Sequence, residues 1–266
     1  MEDYPLVSIV TPVFNMASYV EETIQSVLSQ DYPRIEYIVM DGASTDGTMD
    51  VVKKYEGRLR VHSAPDGGAA DAVNCGYRMS NGSVFAYLNA DDTYLPGAIS
   101  SAVRHLAANP DAGGVYGEAN WVADDGTVLG RYPTHSFDPV HFARECYICQ
   151  AASFVRREAF ERSGLLDARL HYTFDYDFWI RMSKYYRLHR IGEFLATSRM
   201  HSSNKTLGER GKVLKETASL LQAHFSYVPF SWVYAYACYL VDKRDQFFEP
   251  LVPSIPKYVL SLLMGF

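Results

Sequence analysis

Asp91 and Asp92 stand side by side at the end of the apolar run VFAYLNADD, just after Asn89 and Ala90. Neighbouring carboxylates repel each other, and neither gains from leaving water unless something positive joins them. A hard oxygen pair at a strand end suits Mg2+ or Mn2+, ions that complete their shells with phosphate oxygens and water. The residues leave a structural alternative open, in which Asp92 caps the next helix or turn and Asp91 is merely solvated. A second acidic pair, Asp175 and Asp177, lies in HYTFDYDFWIRM. If a helix has begun by Asp175, the two side chains diverge by about 200° around its axis, so only one faces a given pocket. A carboxylate so placed can cap the helix. The sequence contains neither a glycine-rich dinucleotide fingerprint after its first strand nor a Walker-type loop. A bound cation is therefore expected to meet any phosphate, rather than main-chain amides alone.

The elements that must position these residues alternate. LVSIVT reads as a strand buried on both faces, and MASYVEETIQSVLSQ places Val20, Ile24, Val27 and Leu28 on one helical face. The pattern repeats as strand IEYIVM, loop DGASTDGT and helix MDVVKKY, then strand LRVHSA, loop PDGGAA and helix DAVNCGYRMS, and returns to VFAYLNA. This implies an α/β fold with a doubly wound, mostly parallel sheet, whose ligand sites lie beyond the carboxyl ends of the strands. The polar clusters at residues 11–15, 41–46, 66–68 and 89–92 each follow a strand directly. Beyond Pro96 we expect a helix, a hairpin turning at Asp125 and Gly126, helices near DPVHFAREC and DYDFWIRMSKYY, and a helical tail from Gly211 onward.

A net charge of -6 and a pI near 5.7 exclude a general nucleic-acid binder, whose footprint would be a basic face. The four cysteines show no disulfide spacing; Cys146 and Cys149 form a lone C-x-x-C without further metal ligands at suitable spacing, so reduced thiols are expected. MEDYPLVSIVTPVFN lacks the basic and apolar regions of a signal peptide, which points to a cytoplasmic protein. In the tail, VPFSWVYAYACYLV and PSIPKYVLSLLMGF fall short of the roughly 20 residues needed to cross a bilayer. The first is expected to pack on the protein. The second is left open to a membrane interface or a second subunit.

In this order and spacing, VSIVTPVFN, IVMDGASTDGT, APDGGAADAVNCG, FAYLNADD, CQAASFVRREAF, DYDFWIRM and RMHSSNKT resemble the family 2 glycosyltransferases with the GT-A fold. The resemblance covers about residues 5–206 and implies a catalytic domain at 1–206, followed by a helical extension at 207–266.

It also implies a role for each matching residue. Pro12, Phe14 and Asn15 would line the nucleotide base, with Phe14 either stacking on it or filling the core. Asp41 would read the base, with Gly42 where relatives often carry a second Asp. Asp66 and Asp71 would flank the donor pocket, Cys75 stands where many relatives have Lys, and Asp46 is either a helix cap or a ligand contact. Residues 89–92 correspond to the family's DXD metal motif with Asn in its first place; Asp92 would be the direct ligand of Mn2+ or Mg2+, and Asp91 a ribose or metal-water contact. Asp175 would be the general base with Asp177 in reserve. His201 would lie near diphosphate or metal, and Gln150, Arg156 and Arg157 on the acceptor side.

The implied activity is inverting transfer of a sugar from a nucleotide diphosphate, UDP preferred, to a hydroxyl of a glycan or lipid-linked acceptor in surface polysaccharide assembly. A sugar-phosphate nucleotidyltransferase and a non-catalytic nucleotide-sugar or glycan-binding module are the competing readings. Peripheral membrane contact and a homo-oligomer through the C-terminal helices accompany the expectation.

Overall fold

The computed structural model describes residues 4–201, 204–242, 247, 248 and 251–264. Ser202 and Ser203 of the RMHSSNKT stretch lie outside the described residues. In chain order the elements are β1 (Val7–Val13), α1 (Val20–Leu28), β2 (Ile35–Asp41), α2 (Thr48–Lys53), β3 (Arg60–Ser63), α3 (Ala69–Met79), β4 (Val84–Tyr87), β5 (Thr93–Tyr94) and α4 (Ala98–Ala108). There follow β6 (Ala112–Val122), β7 (Val128–Arg131), α5 (Pro139–Arg144), a 3-10 turn at Gln150–Ala152, β8 (Ser153–Arg156), α6 (Arg157–Ser163) and α7 (Phe174–Met182). The last are β9 (Arg187–Arg199), α8 (Lys205–Gly208), α9 (Arg210–Phe225), α10 (Phe230–Asp242) and α11 (Ile255–Leu263).

The strands join in the order β3-β2-β1-β4-β8-β6-β9-β5, with β7 hanging from β6. From β3 to β4 every pairing is parallel, as the strand–helix alternation dictates. The sheet then becomes mixed: β8 runs antiparallel to both β4 and β6, β9 returns parallel to β6, and β5 closes antiparallel on β9. The expected hairpin is β6–β7. Strands β8 and β9 were not foreseen; Arg190, Gly192 and Glu193 interrupt the apolar pattern of β9, whose partner β6 shifts register several times.

Period-two alternation builds a core on each face of the sheet. On one side Val7 and Ile9 of β1, Tyr37 and Val39 of β2, and Val84 and Ala86 of β4 meet Ile24 and Val27 of α1 and Ile99 of α4. On the other, Val10, Ile38, Met40 and Phe85 meet Val73 of α3, Phe160 of α6, Phe178 of α7 and Leu221 of α9. Helix α9 thus belongs to the second core. Helix α10 buries Val233, Ala237 and Cys238 and packs against α9 and α11, as expected of the first tail segment. Helix α11 is turned the other way: Lys257 and Ser261 are inside, Lys257 meeting Asp242 at 2.7 Å, while Ile255, Leu262 and Leu263 are each more than three-quarters exposed. All four cysteines are free thiols.

Close approach of α3 to the sheet depends on Gly76, where an added Cβ would stand 2.6 Å from Val10 Cγ1 and 3.1 Å from Met40 Cγ. Gly76→Ala is expected to cost about 1–3 kcal/mol through overpacking, measured by urea unfolding. A variant of unchanged stability would contradict this packing.

Candidate functional site

The chain leaves β1 for β2 and β3 on one side and comes back to β4 on the other, so the carboxyl ends of β1 and β4 flank the point where strand order reverses. The loops after β1, β2 and β3 interlock on the first side. Asn15, in a left-handed conformation (φ 52°), accepts the Thr45 N–H on its Oδ1 at 2.9 Å and gives its own N–H to Ser44 Oγ at 2.8 Å. Pro12 is buried in β1 past the last pairing with β4, Val10 with Tyr87, where no N–H is asked of it. Phe14 is 59% exposed, which removes the core alternative. Asp46 accepts the Thr48 N–H at 2.9 Å and the Ala17 N–H at 3.0 Å, so it braces the start of α2 against the loop after β1.

Asp41, expected to contact the base, is instead buried and engaged: it accepts the Ser44 N–H at 3.1 Å and the Ser63 hydroxyl at 2.5 Å. The exposed carboxylate beside it is Asp66, whose Oδ2 lies 3.0 Å from where a Cβ on Gly42 would stand. A side chain at position 42 would have to move that exposed carboxylate aside. Asp71, in the first turn of α3, accepts the Gly67 N–H at 3.0 Å and so fixes the loop bearing Asp66.

On the β4 side the adjacent carboxylates part company. Asp92, expected as the direct metal ligand, is 5% exposed; its Oδ1 accepts the Arg199 N–H at 3.0 Å and its Oδ2 the Asn89 amide at 3.3 Å. Burial, with the Asp91 charge beside it, pushes its carboxyl well above the usual range. Asp92 is therefore an anchor, and Asp91 is the carboxylate that turns to His201, Oδ2 to Nε2 at 3.0 Å. The Tyr19 ring lies 4.8 Å from the His201 ring and its hydroxyl donates to Asp124 at 2.8 Å.

Arg199, buried at the end of β9, ties this corner together. Its guanidinium donates to the carbonyls of Asp91 (3.1 Å), Ala123 (3.1 Å) and Asp124 (2.7 Å), pairs with Glu22 of α1, and lies over Tyr19.

Asp175 is in the first turn of α7, partly buried, accepting the Tyr176 N–H at 2.7 Å. Desolvation, aided by the charges of Glu216 and Asp177, pushes its carboxyl up to about 6. Asp177 points elsewhere, as the helical geometry requires. Burial opposes its ionisation, but the His224 contact (2.7 Å) and Arg181 (2.8 Å) outweigh it and hold the carboxyl below the usual range, so it is not a reserve base. Buried Tyr87 and Cys149 feel both Asp92 and Asp175, and among the described residues the Tyr87 hydroxyl has no hydrogen-bond partner.

The turn leading into α7 is held from a distance. Glu216 of α9 accepts the N–H groups of His171 (3.0 Å), Tyr172 (2.8 Å) and Thr173 (2.8 Å) and the Thr173 hydroxyl (2.9 Å).

Gln150 donates to the Tyr87 carbonyl at 2.6 Å and lies beside Asn89, within the corner that carries the carboxylates. Arg156 and Arg157, expected on the acceptor side, pair instead near the opposite end of β4: Arg156 bonds the carbonyls of Ala112 and Leu106, Arg157 that of Gly82. Arg199, Tyr19 and Glu216 escaped the sequence reading. Only Arg199 left a signal, a cation two residues before His201 at the end of an apolar run.

Residues 8–164 match the family model described as Glycosyl transferase family 2. Among curated relatives, the uncharacterized glycosyltransferase RP339 of Rickettsia prowazekii (strain Madrid E) is 31% identical over 211 residues, which are 76% of this chain and 66% of that protein. Two solved structures share the fold. S. aureus TarS 1-349 in complex with UDP has a TM-score of 0.63 at 17% identity, covering 88% of this chain and 70% of that one. The mannosyltransferase PcManGT from Pyrobaculum calidifontis, in complex with GDP-Man and Mn2+, has a TM-score of 0.62 at 21% identity, covering 85% and 64%.

Removing the four bonds of Glu216 by Glu216→Ala is expected to cost about 3 kcal/mol in chemical denaturation. A loss below about 0.5 kcal/mol would mean that α9 does not hold this turn. Asp175 carries the opposite sign. Between about pH 4 and 6 the folded chain keeps a proton that the unfolded chain has released, so stability falls as pH rises through that window. Asp175→Asn should accordingly melt higher than the parent protein at pH 8, with the gap closing below pH 4. An equal or lower midpoint at pH 8 would contradict the burial cost.

Proposed function

The chain belongs to glycosyl transferase family 2, and from that premise we propose that it moves a sugar from a nucleotide diphosphate, UDP by preference, to a hydroxyl of a glycan or lipid-linked acceptor, inverting the anomeric centre. One set of observations carries the reading: Asp91 pairs with His201 at 3.0 Å, its neighbour Asp92 and the carboxylate Asp175 both act on buried Tyr87 and Cys149, and the Asp175 pKa of about 6 suits a base working near neutrality. The complexes of TarS with UDP and of PcManGT with GDP-Man and Mn2+ support a nucleotide-sugar donor.

On this reading the base of the nucleotide lies over Phe14 and the interlocked loops at Asn15 and Ser44, with Asp66 at its edge and Asp41 holding the floor beneath. A carboxylate and an imidazole are donors of the kind that Mn2+ or Mg2+ accepts, and Asp91 and His201 would hold such an ion in exchange for their mutual 3.0 Å contact. When bound, that ion neutralises charge growing on the leaving diphosphate. Asp92 and Arg199 keep Asp91 in place. Asp175 takes the proton from the acceptor hydroxyl as that oxygen attacks the sugar from the face opposite the diphosphate.

Residues 1–206 carry this chemistry, and the helices of residues 207–266 complete it through Glu216. The outward apolar side of α11 suits a seat in a membrane interface, in keeping with surface polysaccharide assembly at the cytoplasmic face. Among the described residues no helix is long and apolar enough to cross a membrane.

Titrating UDP, GDP and dTDP by calorimetry with and without Mn2+ tests the donor site. UDP should bind more tightly with the ion, and Asp91→Asn should erase the difference. Asp175→Asn should leave UDP affinity within about twofold while lowering kcat about 1,000-fold, and the parent enzyme's kcat should rise with pH through about 6. Undiminished turnover in Asp175→Asn would remove it as the base.

A further inference from the structure

The chain between β7 and the 3-10 turn brings together His135, His141 and Glu145, none of them assigned to the transfer site. One imidazole nitrogen from each histidine and one Glu145 oxygen all lie within 4.8 Å of one another. His141 and Glu145, four residues apart along α5 and its C-terminal cap, share a face, with Nε2 and Oε2 at 3.5 Å. The His135 ring stands 5.0 Å from that of His141.

The backbone beneath this cluster is fixed while its polar tips reach solvent. The Tyr116 hydroxyl donates to the His135 carbonyl at 2.8 Å. Asp138 caps α5 by accepting the His141 N–H at 2.6 Å. Buried Tyr147 places its ring 5.6 Å from His135 and 5.2 Å from His141, and its hydroxyl both accepts the Asp138 N–H (2.7 Å) and donates to the Asp138 carbonyl (2.9 Å). Two imidazoles and a carboxylate on such a base match the donors of a zinc ion with one open position. Tetrahedral zinc needs donor separations of roughly 3.3 Å, which small rotations of these exposed or half-exposed side chains supply.

We propose that His135, His141 and Glu145 form a Zn2+ site, separate from Asp91 and His201, with water in the fourth position. The site is a clip: it ties the loop after β7 to α5. Its last residue, Glu145, adjoins Cys146, whose carbonyl takes the Tyr132 hydroxyl at 3.2 Å and whose thiol feels the Asp175 charge, so the clip borders the wall next to the base.

The test is Zn2+ titration by equilibrium dialysis, with Co2+ absorption reporting tetrahedral geometry, on the full chain and on His135→Ala, His141→Ala, Glu145→Gln and His201→Ala. His201→Ala should retain one tightly held Zn2+ and the tetrahedral Co2+ spectrum. Each of His135→Ala and His141→Ala should weaken that site at least about 100-fold with circular dichroism unchanged, and Glu145→Gln should weaken it with its shape preserved. Absence of Zn2+ binding in the parent chain, unchanged affinity in the two histidine variants, or complete loss in His201→Ala would each overturn the site.

Discussion

The candidate site hangs on a buried knot between the ends of β4 and β9. Arg199 gives its main-chain N–H to Asp92 and spreads its guanidinium over the carbonyls of Asp91, Ala123 and Asp124 and the carboxylate of Glu22. A planar fork of five donors meets several fixed acceptors at once, which a compact ammonium does not. A guanidinium 3% exposed is tolerable only with such complete pairing, because an unpaired buried charge costs several kcal/mol. The knot also imposes topology: β9 must reach the carboxyl end of β4, and the mixed half of the sheet exists to bring it there.

Once the knot is tied, environment alone assigns four chemically similar carboxylates to different tasks. Asp92 is sunk among donors and becomes scaffold. Asp91, one residue away, keeps an oxygen for His201. Asp175 is desolvated beside the charges of Glu216 and Asp177, so its proton affinity rises toward neutrality, whereas Asp177 is spent on Arg181 and His224. Helix α9 lies beyond the segment matched by the family model, yet it supplies both Glu216 and His224 to α7. Seating Asp175 thus draws on the part of the chain expected to be an appendage.

Much of this was legible in the residues because it follows from local patterns. Alternating apolar strands and amphipathic helices dictated the parallel half from β1 to β4, and with it the placing of polar loops at one edge. The helical period alone separated Asp175 from Asp177. That position 42 adjoins Asp66, a residue 24 positions away in another loop, was not legible in the residues.

The sequence by itself determined the fold class, the family resemblance and the short set of acidic residues able to act, because periodicity and motif order are properties of neighbouring residues. It did not determine which carboxylate is buried among donors and which pairs with His201, nor that Phe14 is outside the core, nor that α9 braces the turn before Asp175. Those outcomes depend on desolvation and on hydrogen-bond partners about 40 to 110 positions distant, such as Glu216 for Thr173 and Arg199 for Asp92. Only the tertiary structure brings such groups together, and burial then sets the charge each one carries.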